Sequence, residues 1–341
     1  MPGQDSAGVP QIGPIGEDMG RPKTWDFALG WPEYKERPFI EWLKRECELK
    51  KMSFLWVHDG NVDDVIKNVE SGSTLIKFLF DMNATYSVPY DRYAHLCYAV
   101  KDTRRKVLND PDDAKSATDK SVTHYDLLEA GIPVPFTVVV RRWEPDTFKL
   151  TEAERKNLGI PFVIKPATGY GKIGVVMDAK TLKEVAKARD FAKGDNFLLQ
   201  ERIEPVTLNG KRAWFRVFYV FGEAIPCWWD ICTGGTYQHV TFSEMYNFKL
   251  LHLVRIVTRI ARITNMEFFT TEIAVSRRGD QKVPIAIDYV NDQCDLDVKS
   301  EQPSAPPNDV VEHIIRSIVR YAKELQQGQQ LPRGIGVWLA R

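Results

Sequence analysis

The pattern of apolar and polar positions predicts a series of short strands and amphipathic helices from Arg37 onward. In the first part of the chain, nearly continuous apolar runs alternate with segments that carry an apolar stripe at helical spacing. The predicted helices are 37–51, with Pro38 in its first turn, 61–71 and 89–109, and the predicted strands are 52–58 and 74–80. Strands that alternate with helices favour a small βα lobe with a parallel sheet.

A second unit begins at Asp119, which can cap a helix that runs to about Ala130 and is ended by Gly131 and Pro133. Beyond this helix, strand-like runs are more frequent than helical ones. The predicted strands are 136–143, 161–167, 172–178, 196–203, 213–222, 223–231, 268–276 and 283–291, and the predicted helices are 181–193, 250–263 and 308–327. The fold class is therefore α+β, with a small open lobe followed by two mixed lobes.

Composition changes this picture mainly by what it excludes. The 341 residues contain 46 Lys plus Arg and 46 Asp plus Glu, so we expect no chain-wide basic surface and no nucleic-acid partner. No stretch reaches the roughly 18 apolar residues of a membrane helix. Five cysteines without a C-x-x-C pair are typical of a reduced, cytoplasmic protein. Residues 1–36, which begin with a stretch rich in Gly and Pro, predict a loose arm rather than a signal peptide.

The run VIKPATGYGKIGVVMD, residues 163–178, contains the pattern G-x-G-x-x-G at Gly169, Gly171 and Gly174. A dinucleotide-binding fold needs a helix after these glycines, and here a predicted strand follows. A P-loop is excluded because its first glycine and its Ser or Thr are missing, and a protein kinase because H-R-D and D-F-G are missing. A hairpin with Lys165 before a glycine tip can close over a triphosphate, although an ordinary surface hairpin has the same pattern.

The order of the parts resembles the ATP-grasp superfamily, specifically its carboxylate–amine ligase branch, which includes glutathione synthetase and D-Ala–D-Ala ligase. The resemblance covers about residues 52–325 and rests on the segments DKSVTHYDLLEAGIPVP, FVIKPATGYGKIGV, LLQERIEP, FRVFYVFGEAIP, FTTEIAV and AIDYVND in that order. It implies an ATP-grasp fold with ATP between the two mixed lobes. The residues implied for ATP are Lys120, Lys165, Gly169 and Gly171 at the phosphates and Glu201, Arg202 and Ile203 at the adenine. Arg216 is implied as the catalytic residue that stabilises the transferred phosphoryl group.

The resemblance also implies a metal site for two Mg²⁺ ions, for which Mn²⁺ can substitute. Its ligands would be Glu272, Asp288 and Asn291, because Mg²⁺ that bridges phosphates is bound by carboxylate and amide oxygens. The family usually has one residue between its acid and its Asn, whereas two residues separate Asp288 from Asn291. Either a β-bulge absorbs the extra residue, or Asp292 shares the role. No clear acid for the ribose is found, and Glu204 is named as the candidate.

The implied domains are an N-terminal arm at 1–36, a pre-grasp βα lobe at 37–117, a central lobe at 118–205, a C-terminal grasp lobe at 206–325 and a tail at 326–341. The implied activity is an ATP-dependent ligase that joins a carboxylate to an amine, such as an amino acid or peptide, through an acyl phosphate. An ATP-grasp small-molecule kinase and a non-catalytic ATP-binding module remain alternatives. By analogy with the family, a homodimer is compatible with the sequence.

Four further groups of residues leave both a functional and a structural interpretation open. His58 and Asp59 end a predicted strand, where they can contact substrate or cap a loop. His239 lies in a predicted polar loop that either covers the acyl-phosphate site or is simply solvated. The pair at 228–229, Trp-Trp, suits the core better than stacking on a ligand, and Arg277–Arg278 is expected to be an exposed turn.

Overall fold

The computed structural model describes residues 21–32, 37–169, 173–230, 234–329 and 335–339. Gly171 and residues 1–20 of the predicted arm lie outside the described residues. Three sheets organise the described part of the chain, and they are called here the N-terminal, central and C-terminal sheets.

The N-terminal sheet is parallel, as the alternation of strands and helices predicted. This part of the chain comprises β1 (Lys23–Trp25), β2 (Phe27–Gly30), α1 (Pro38–Leu49), β3 (Phe54–Val57), α2 (Val62–Glu70), β4 (Thr74–Ile76), β5 (Phe78–Asp81), α3 (Arg92–Asp102), β6 (Lys106–Leu108) and α4 (Pro111–Thr118). The strands of the sheet run in the order β3–β2–β5–β6, and β1 pairs with β4 beside it.

Two expectations for this region are wrong. Residues 23–30 do not belong to a loose arm, because β2 is a central strand whose Phe27, Ala28 and Leu29 are fully buried. The helix expected at 89–109 ends at Asp102, because Arg104 has a left-handed backbone with φ of 58° that no α-helix continues through. The residues after it pair with β5 as a strand.

The central sheet is antiparallel and contains the glycine hairpin. Its elements are α5 (Lys120–Glu129), β7 (Thr137–Val140), α6 (Glu152–Leu158), β8 (Phe162–Pro166), β9 (Val176–Ala179), α7 (Leu182–Arg189) and β10 (Phe197–Glu201). The order β7–β10–β8–β9 places β8 next to both its hairpin partner β9 and strand β10, which is called here the hinge strand. The Asp119 side chain accepts a hydrogen bond from the Ser121 backbone N–H, which confirms Asp119 as the cap of α5.

The C-terminal sheet is built around a long antiparallel hairpin. Its elements are β11 (Thr207–Leu208), β12 (Lys211–Arg212), β13 (Trp214–Val220), β14 (Glu223–Asp230), β15 (Thr236–His239), α8 (Phe242–Asn247), α9 (Leu251–Thr264), β16 (Phe268–Arg278), β17 (Gln281–Asn291), α10 (Asn308–Gln326) and β18 (Gly336–Val337). The strand order is β15–β14–β13–β16–β17, with β18 paired to β14. His239 lies on β15, so the polar loop expected around it is wrong at this position.

Two helices cover the C-terminal sheet and join it to the rest of the molecule. On one side, α9 packs its apolar stripe against β13, β14 and β17. On the other, α10 packs against α1, so residues such as Ile314 share a core with Phe27 and Phe39 of the N-terminal part. The N-terminal and C-terminal sheets are therefore held in contact by one apolar core. No helix in the described ranges is long and apolar enough to cross a membrane.

Candidate functional site

A cavity of about 750 Å³ lies where residues of all three sheets meet. Every described residue that the sequence predicted for ATP, catalysis or metal contributes to its lining. These are Lys120, Lys165, Gly169, Glu201, Arg202, Ile203, Arg216, Glu272, Asp288 and Asn291. The residues come from helix α5, the glycine hairpin, the hinge strand β10 and three strands of the C-terminal sheet. The fold thus brings together side chains that are widely separated in sequence.

Two lysines from the central region face one carboxylate of the C-terminal sheet. Lys120 Nζ donates to Gly169 O at 2.9 Å, and Lys165 Nζ donates to Ile287 O at 2.9 Å. Each ammonium nitrogen lies 3.9 Å from Asp288 Oδ1. The contact of Lys120 with the start of the glycine tip fixes the spacing between α5 and the hairpin. Two adjacent cations beside Gly169 form a site suited to an anionic group such as a phosphate.

The charges at this end of the cavity influence one another strongly. Burial is the main cause that lowers the pKa of Lys165 to about 8, while the negative charge of Asp288 opposes this shift and the positive charge of Lys120 adds to it. Burial alone would raise the pKa of Asp288, but Lys120, Lys165 and Arg216 reverse this and hold it below its usual value. Asp288 therefore stays ionised, and the surrounding cations outnumber it.

A β-bulge in β17 explains the unusual spacing between Asp288 and Asn291. Glu272 pairs with Asp288, and Thr270 pairs with Asn291. An advance of two residues along β16 therefore corresponds to an advance of three residues along β17. A second irregularity follows between Glu272 and Ile273. Without a bulge, residues three apart on a strand face opposite sides of the sheet. The bulge instead sets Asn291 on the same face as Asp288, and both line the cavity.

Arg216 and Glu272 form an ion pair at the centre of the cavity. An Arg216 guanidinium nitrogen donates to Glu272 Oε1, and Trp214 Nε1 donates to Glu272 Oε2 at 3.2 Å. Arg216 Nη1 also donates to the Tyr237 hydroxyl at 3.1 Å, and the guanidinium lies 4.3 Å from the centroid of the Trp229 ring. Although burial disfavours its charge, Glu272 raises the pKa of Arg216 above its ordinary value. Arg216 is therefore a fixed, permanently charged group.

The carboxylates of the cavity suit a divalent cation that is shared with a ligand. Asp288 Oδ1 is buried and accepts no hydrogen bond from the described residues. Burial of a carboxylate oxygen without a partner costs free energy, and a bound cation offsets this cost. Within the described ranges, no group of three His, Cys, Asp or Glu side chains is arranged to hold a metal alone. Mg²⁺ commonly binds one or two carboxylates and completes its shell with phosphate and water oxygens. Glu272, Asp288 and Asn291 fit that donor set.

Asp292, the alternative to Asn291, also lines the cavity. Burial raises the pKa of Asp292 to about 6, with opposing effects from backbone N–H groups and Lys120. Asp292 follows the bulged segment and has no partner on β16, whereas Asn291 is paired opposite Thr270. The register therefore favours Asn291 as the third donor.

Part of the cavity lining, around the glycine hairpin and the end of β10, is apolar and is called here the apolar slot. Its apolar lining consists of Pro135, Val163, Val175, Met177, Ile203 and Ile287. The Glu201 carboxylate lies at its edge, where both oxygens accept hydrogen bonds from the Arg278 guanidinium. Arg202 pairs with Asp178 at 2.6 Å and with Glu204 at 3.1 Å. A slot with apolar walls and polar groups at one edge suits a planar heterocyclic ring.

The third part of the cavity is lined by the loop after β5 and by the segment after β17. The loop contributes residues 84–87, and the other segment contributes Asp292, Gln293 and Asp295. Burial raises the pKa of Asp295 to about 6. Trp229 also lines the cavity, whereas its neighbour Trp228 is a core residue that donates to Glu244.

The two histidines singled out in the sequence lie elsewhere. His58 Nδ1 accepts from the Gly60 N–H at 3.1 Å, which fits the loop-capping interpretation, and Asp59 accepts from Arg92 and Tyr93. His239 pairs with Asp309 at 3.0 Å beside the start of α10. Neither histidine belongs to the described lining of the cavity.

A buried polar network behind the lysines could not be found from the sequence. The Tyr289 hydroxyl lies 2.8 Å from His124 Nδ1 and accepts from Gln200 Nε2 at 2.8 Å. The Tyr289 ring lies 5.4 Å from Lys165 Nζ. Tyr289 follows Asp288 directly, and this adjacency was the one available signal. His124 and Gln200 stand inside two of the motif segments, but the resemblance implies no role for either, and their contacts with Tyr289 span 165 and 89 positions.

Comparison with solved structures gives matches over most of the chain. A RimK domain ATP-grasp protein from Sphaerobacter thermophilus DSM 20745 has a TM-score of 0.59 at 15% identity, covering 87% of this chain and 98% of that one. The D-alanine–D-alanine ligase from Bacillus anthracis complexed with ATP has a TM-score of 0.56 at 12% identity, with coverages of 88% and 99%. The ATP-grasp ligase PsnB complexed with minimal precursor, Mg and ADP has a TM-score of 0.56 at 11% identity, with coverages of 88% and 98%.

No family model matches the chain, and no curated protein matches it. The structural matches nevertheless extend over nearly the whole length of each solved protein, and all three are ATP-grasp proteins. They agree with the motifs that run in the same order along this sequence. The fold of this chain is the ATP-grasp fold, as those motifs indicated.

Proposed function

We propose that this protein is an ATP-dependent ligase that forms a carbon–nitrogen bond between a carboxylate and an amine. The observation that carries the proposal is a single cavity in which Lys120, Lys165 and Arg216 face Glu272 and Asp288. The γ-phosphoryl group of ATP passes to the substrate carboxylate to give an acyl phosphate and ADP. The amine then attacks the acyl carbon, phosphate leaves, and an amide or peptide bond remains.

In this proposal each part of the cavity has one task. Lys120 and Lys165 bind the phosphates with the backbone of the glycine tip, where Gly169 belongs to the lining. The apolar slot takes the adenine, with Glu201, Arg202 and Ile203 at its edge. Arg216 is the catalytic residue, because a fixed guanidinium can stabilise charge on the transferred phosphoryl group. The protein contributes orientation and charge neutralisation, and no side-chain nucleophile is required.

Glu272, Asp288 and Asn291 would hold Mg²⁺, with two ions proposed and Mn²⁺ as a substitute. When bound, Mg²⁺ neutralises phosphate charge and polarises the phosphoryl group. Asp288 also lies within reach of both lysines, so it fixes the cations that face the nucleotide. PsnB, one of the structural matches, was solved with Mg and ADP, and the Bacillus anthracis ligase was solved with ATP.

We further propose that the carboxylate and amine substrates are small molecules of the amino acid or peptide class and that the protein acts in the cytoplasm. They would enter through the part of the cavity lined by residues 84–87 and by Asp295, because no part of ATP is assigned to these residues. The predicted lobes at 37–117, 118–205 and 206–325 would then supply the acceptor side, the glycine hairpin and the metal strands.

The experiment incubates the protein with ATP, Mg²⁺ and a pool of amino acids and small peptides, and follows phosphate release and new masses. We expect acceptor-dependent phosphate together with a condensed mass. An Asp288→Asn variant keeps the shape of the side chain but removes its charge. Its rate of acceptor-dependent phosphate release should be at least about 100-fold lower than that of the wild type. A phosphorylated product without free phosphate would identify a kinase instead. Tight ATP binding without turnover over the whole pool would identify a non-catalytic module.

A further inference from the structure

The two arginines of the predicted exposed turn have different surroundings. Arg277 is exposed and forms no ion pair with the described residues, whereas Arg278 reaches back to the central sheet. Its Nη1 and Nη2 donate to Glu201 Oε1 at 2.5 Å and Oε2 at 2.6 Å, across 77 positions of sequence. The result is a two-pronged guanidinium–carboxylate pair, the geometry in which arginine fixes a carboxylate most firmly.

Glu201 is held from a second direction as well. Its Oε2 accepts from the Phe136 backbone N–H at 3.3 Å, and its own backbone N–H donates to Phe136 O at 2.8 Å. The Glu201 side chain is 20% exposed and lines the cavity, whereas Arg278 is outside the described lining. The hydrogen bond to Glu201 raises the pKa of Arg278. Arg278 is therefore connected to the described cavity lining through Glu201.

The chemistry of an anchored carboxylate makes it selective. The Glu201 carboxylate oxygens, which are paired with a permanent cation, act as hydrogen-bond acceptors. Adenine presents an amino group, a donor, at the position where guanine presents a carbonyl oxygen, an acceptor. A free carboxylate could turn away from a guanine oxygen, whereas a carboxylate fixed at the edge of the slot would repel it. A site built around a fixed polar group discriminates strongly against the ligand that cannot pair with it.

We propose that Arg278 is a positioning residue that sets the base selectivity of the nucleotide site by holding the Glu201 carboxylate at the edge of the apolar slot. The inference rests on the proposed function, since it takes this slot as the adenine site. It goes further by assigning a role in specificity to a residue on the β16–β17 hairpin, outside the cavity. The hairpin that carries the metal strands would thus also control which base is accepted.

The test measures dissociation constants for AMP-PNP and GMP-PNP, each with Mg²⁺, by isothermal titration calorimetry on the full chain. We expect the wild type to favour the adenine analogue by about 100-fold or more. Arg278→Met should lower this preference by about tenfold, and Arg278→Lys, which keeps the positive charge but not the two-pronged geometry, should restore part of it. Arg277→Met, the matched control from the same turn, should leave the preference unchanged.

Two further results separate positioning from general stability. In a Glu201→Gln background, Arg278→Met should cause no additional loss of preference, because the pair is already broken. The inference is overturned if Arg278→Met keeps the wild-type preference, or if it weakens both analogues equally. A wild type that binds neither analogue would contradict the proposed nucleotide site itself. Failure of the proposed nucleotide site is thus distinguishable from failure of the Arg278 inference, because only the first is seen in the wild type alone.

Discussion

Asp288 has an unusual environment for a carboxylate in a protein interior. It faces two ammonium groups at 3.9 Å, and its Oδ1 accepts no hydrogen bond within the described structure. The lysines that surround it were predictable, because each stands in a local motif beside a turn or a glycine run. The network behind them was not, because the contact between His124 and Tyr289 spans 165 positions. Motifs identify the groups that face a ligand better than the groups that support them.

His124 gives a prediction about pH and stability. Burial lowers the pKa of His124 from 6.5 to about 4, and the charge of Lys165 contributes. The unfolded chain therefore binds a proton between pH 6.5 and 4 that the folded chain does not, so stability falls as the pH falls through this range. The full shift corresponds to a loss of about 3 kcal/mol in the free energy of unfolding. Urea unfolding at a series of pH values measures it.

The contribution of His124 is measured as the difference in the free energy of unfolding between the wild type and a variant without this histidine. The difference is needed because buried acids titrate in the same pH range and change stability in the opposite direction. The raised pKa values are about 7 for Asp81 and about 6 for Asp292 and Asp295, and burial is the main cause in each. A His124→Gln variant keeps these acids but removes the histidine. We expect the wild type to lose stability relative to this variant between pH 7 and pH 4.5. If the free energy of unfolding changed equally with pH in the wild type and in His124→Gln, the lowered pKa of His124 would be contradicted.

At the scale of the element, β17 shows how a strand can break a spacing rule without losing a site. The family pattern places one residue between acid and Asn, and the bulge between Thr270 and Glu272 accommodates the second. The bulge was one of two explanations that the sequence left open, because spacing alone does not determine register. Long, strongly patterned elements such as α9, α10 and β16 were predicted. Strands β2, β6 and β15 were missed, because runs of three or four residues carry little periodicity.

The register leads to a prediction about the metal site. Asn291 lies on the face of Asp288, so Asn291→Ala should raise the Mg²⁺ concentration for half-maximal ATP turnover by about tenfold or more. Asp292→Asn, the matched change at the next position, should leave that concentration close to the wild-type value. Titration of activity with Mg²⁺ at fixed ATP compares the two variants. A larger effect at Asp292 would assign the third ligand to Asp292 instead.

At the scale of the whole molecule, the cavity exists because three sheets are fixed against one another. Helix α10 buries residues such as Ile314 in a core that also contains Phe27, and Ala286 of β17 donates its backbone N–H to Pro133 O at 2.9 Å. Sequence patterns predicted the parts and their order. They could not predict that β2 completes the first sheet or that Arg278 reaches Glu201, because these contacts depend on how the sheets pack.

Trapping of the acyl phosphate is the most direct test of whether this cavity activates a carboxylate with ATP. The protein would be incubated with Mg²⁺, ATP, hydroxylamine and a pool of amino acids and small peptides, since hydroxylamine attacks an acyl phosphate to give a hydroxamate and phosphate. We expect an ATP-dependent hydroxamate, with equal amounts of ADP and phosphate, that is lost in Asp288→Asn. A stable phosphorylated product without hydroxamate, or ATP binding without any turnover across the pool, would contradict it.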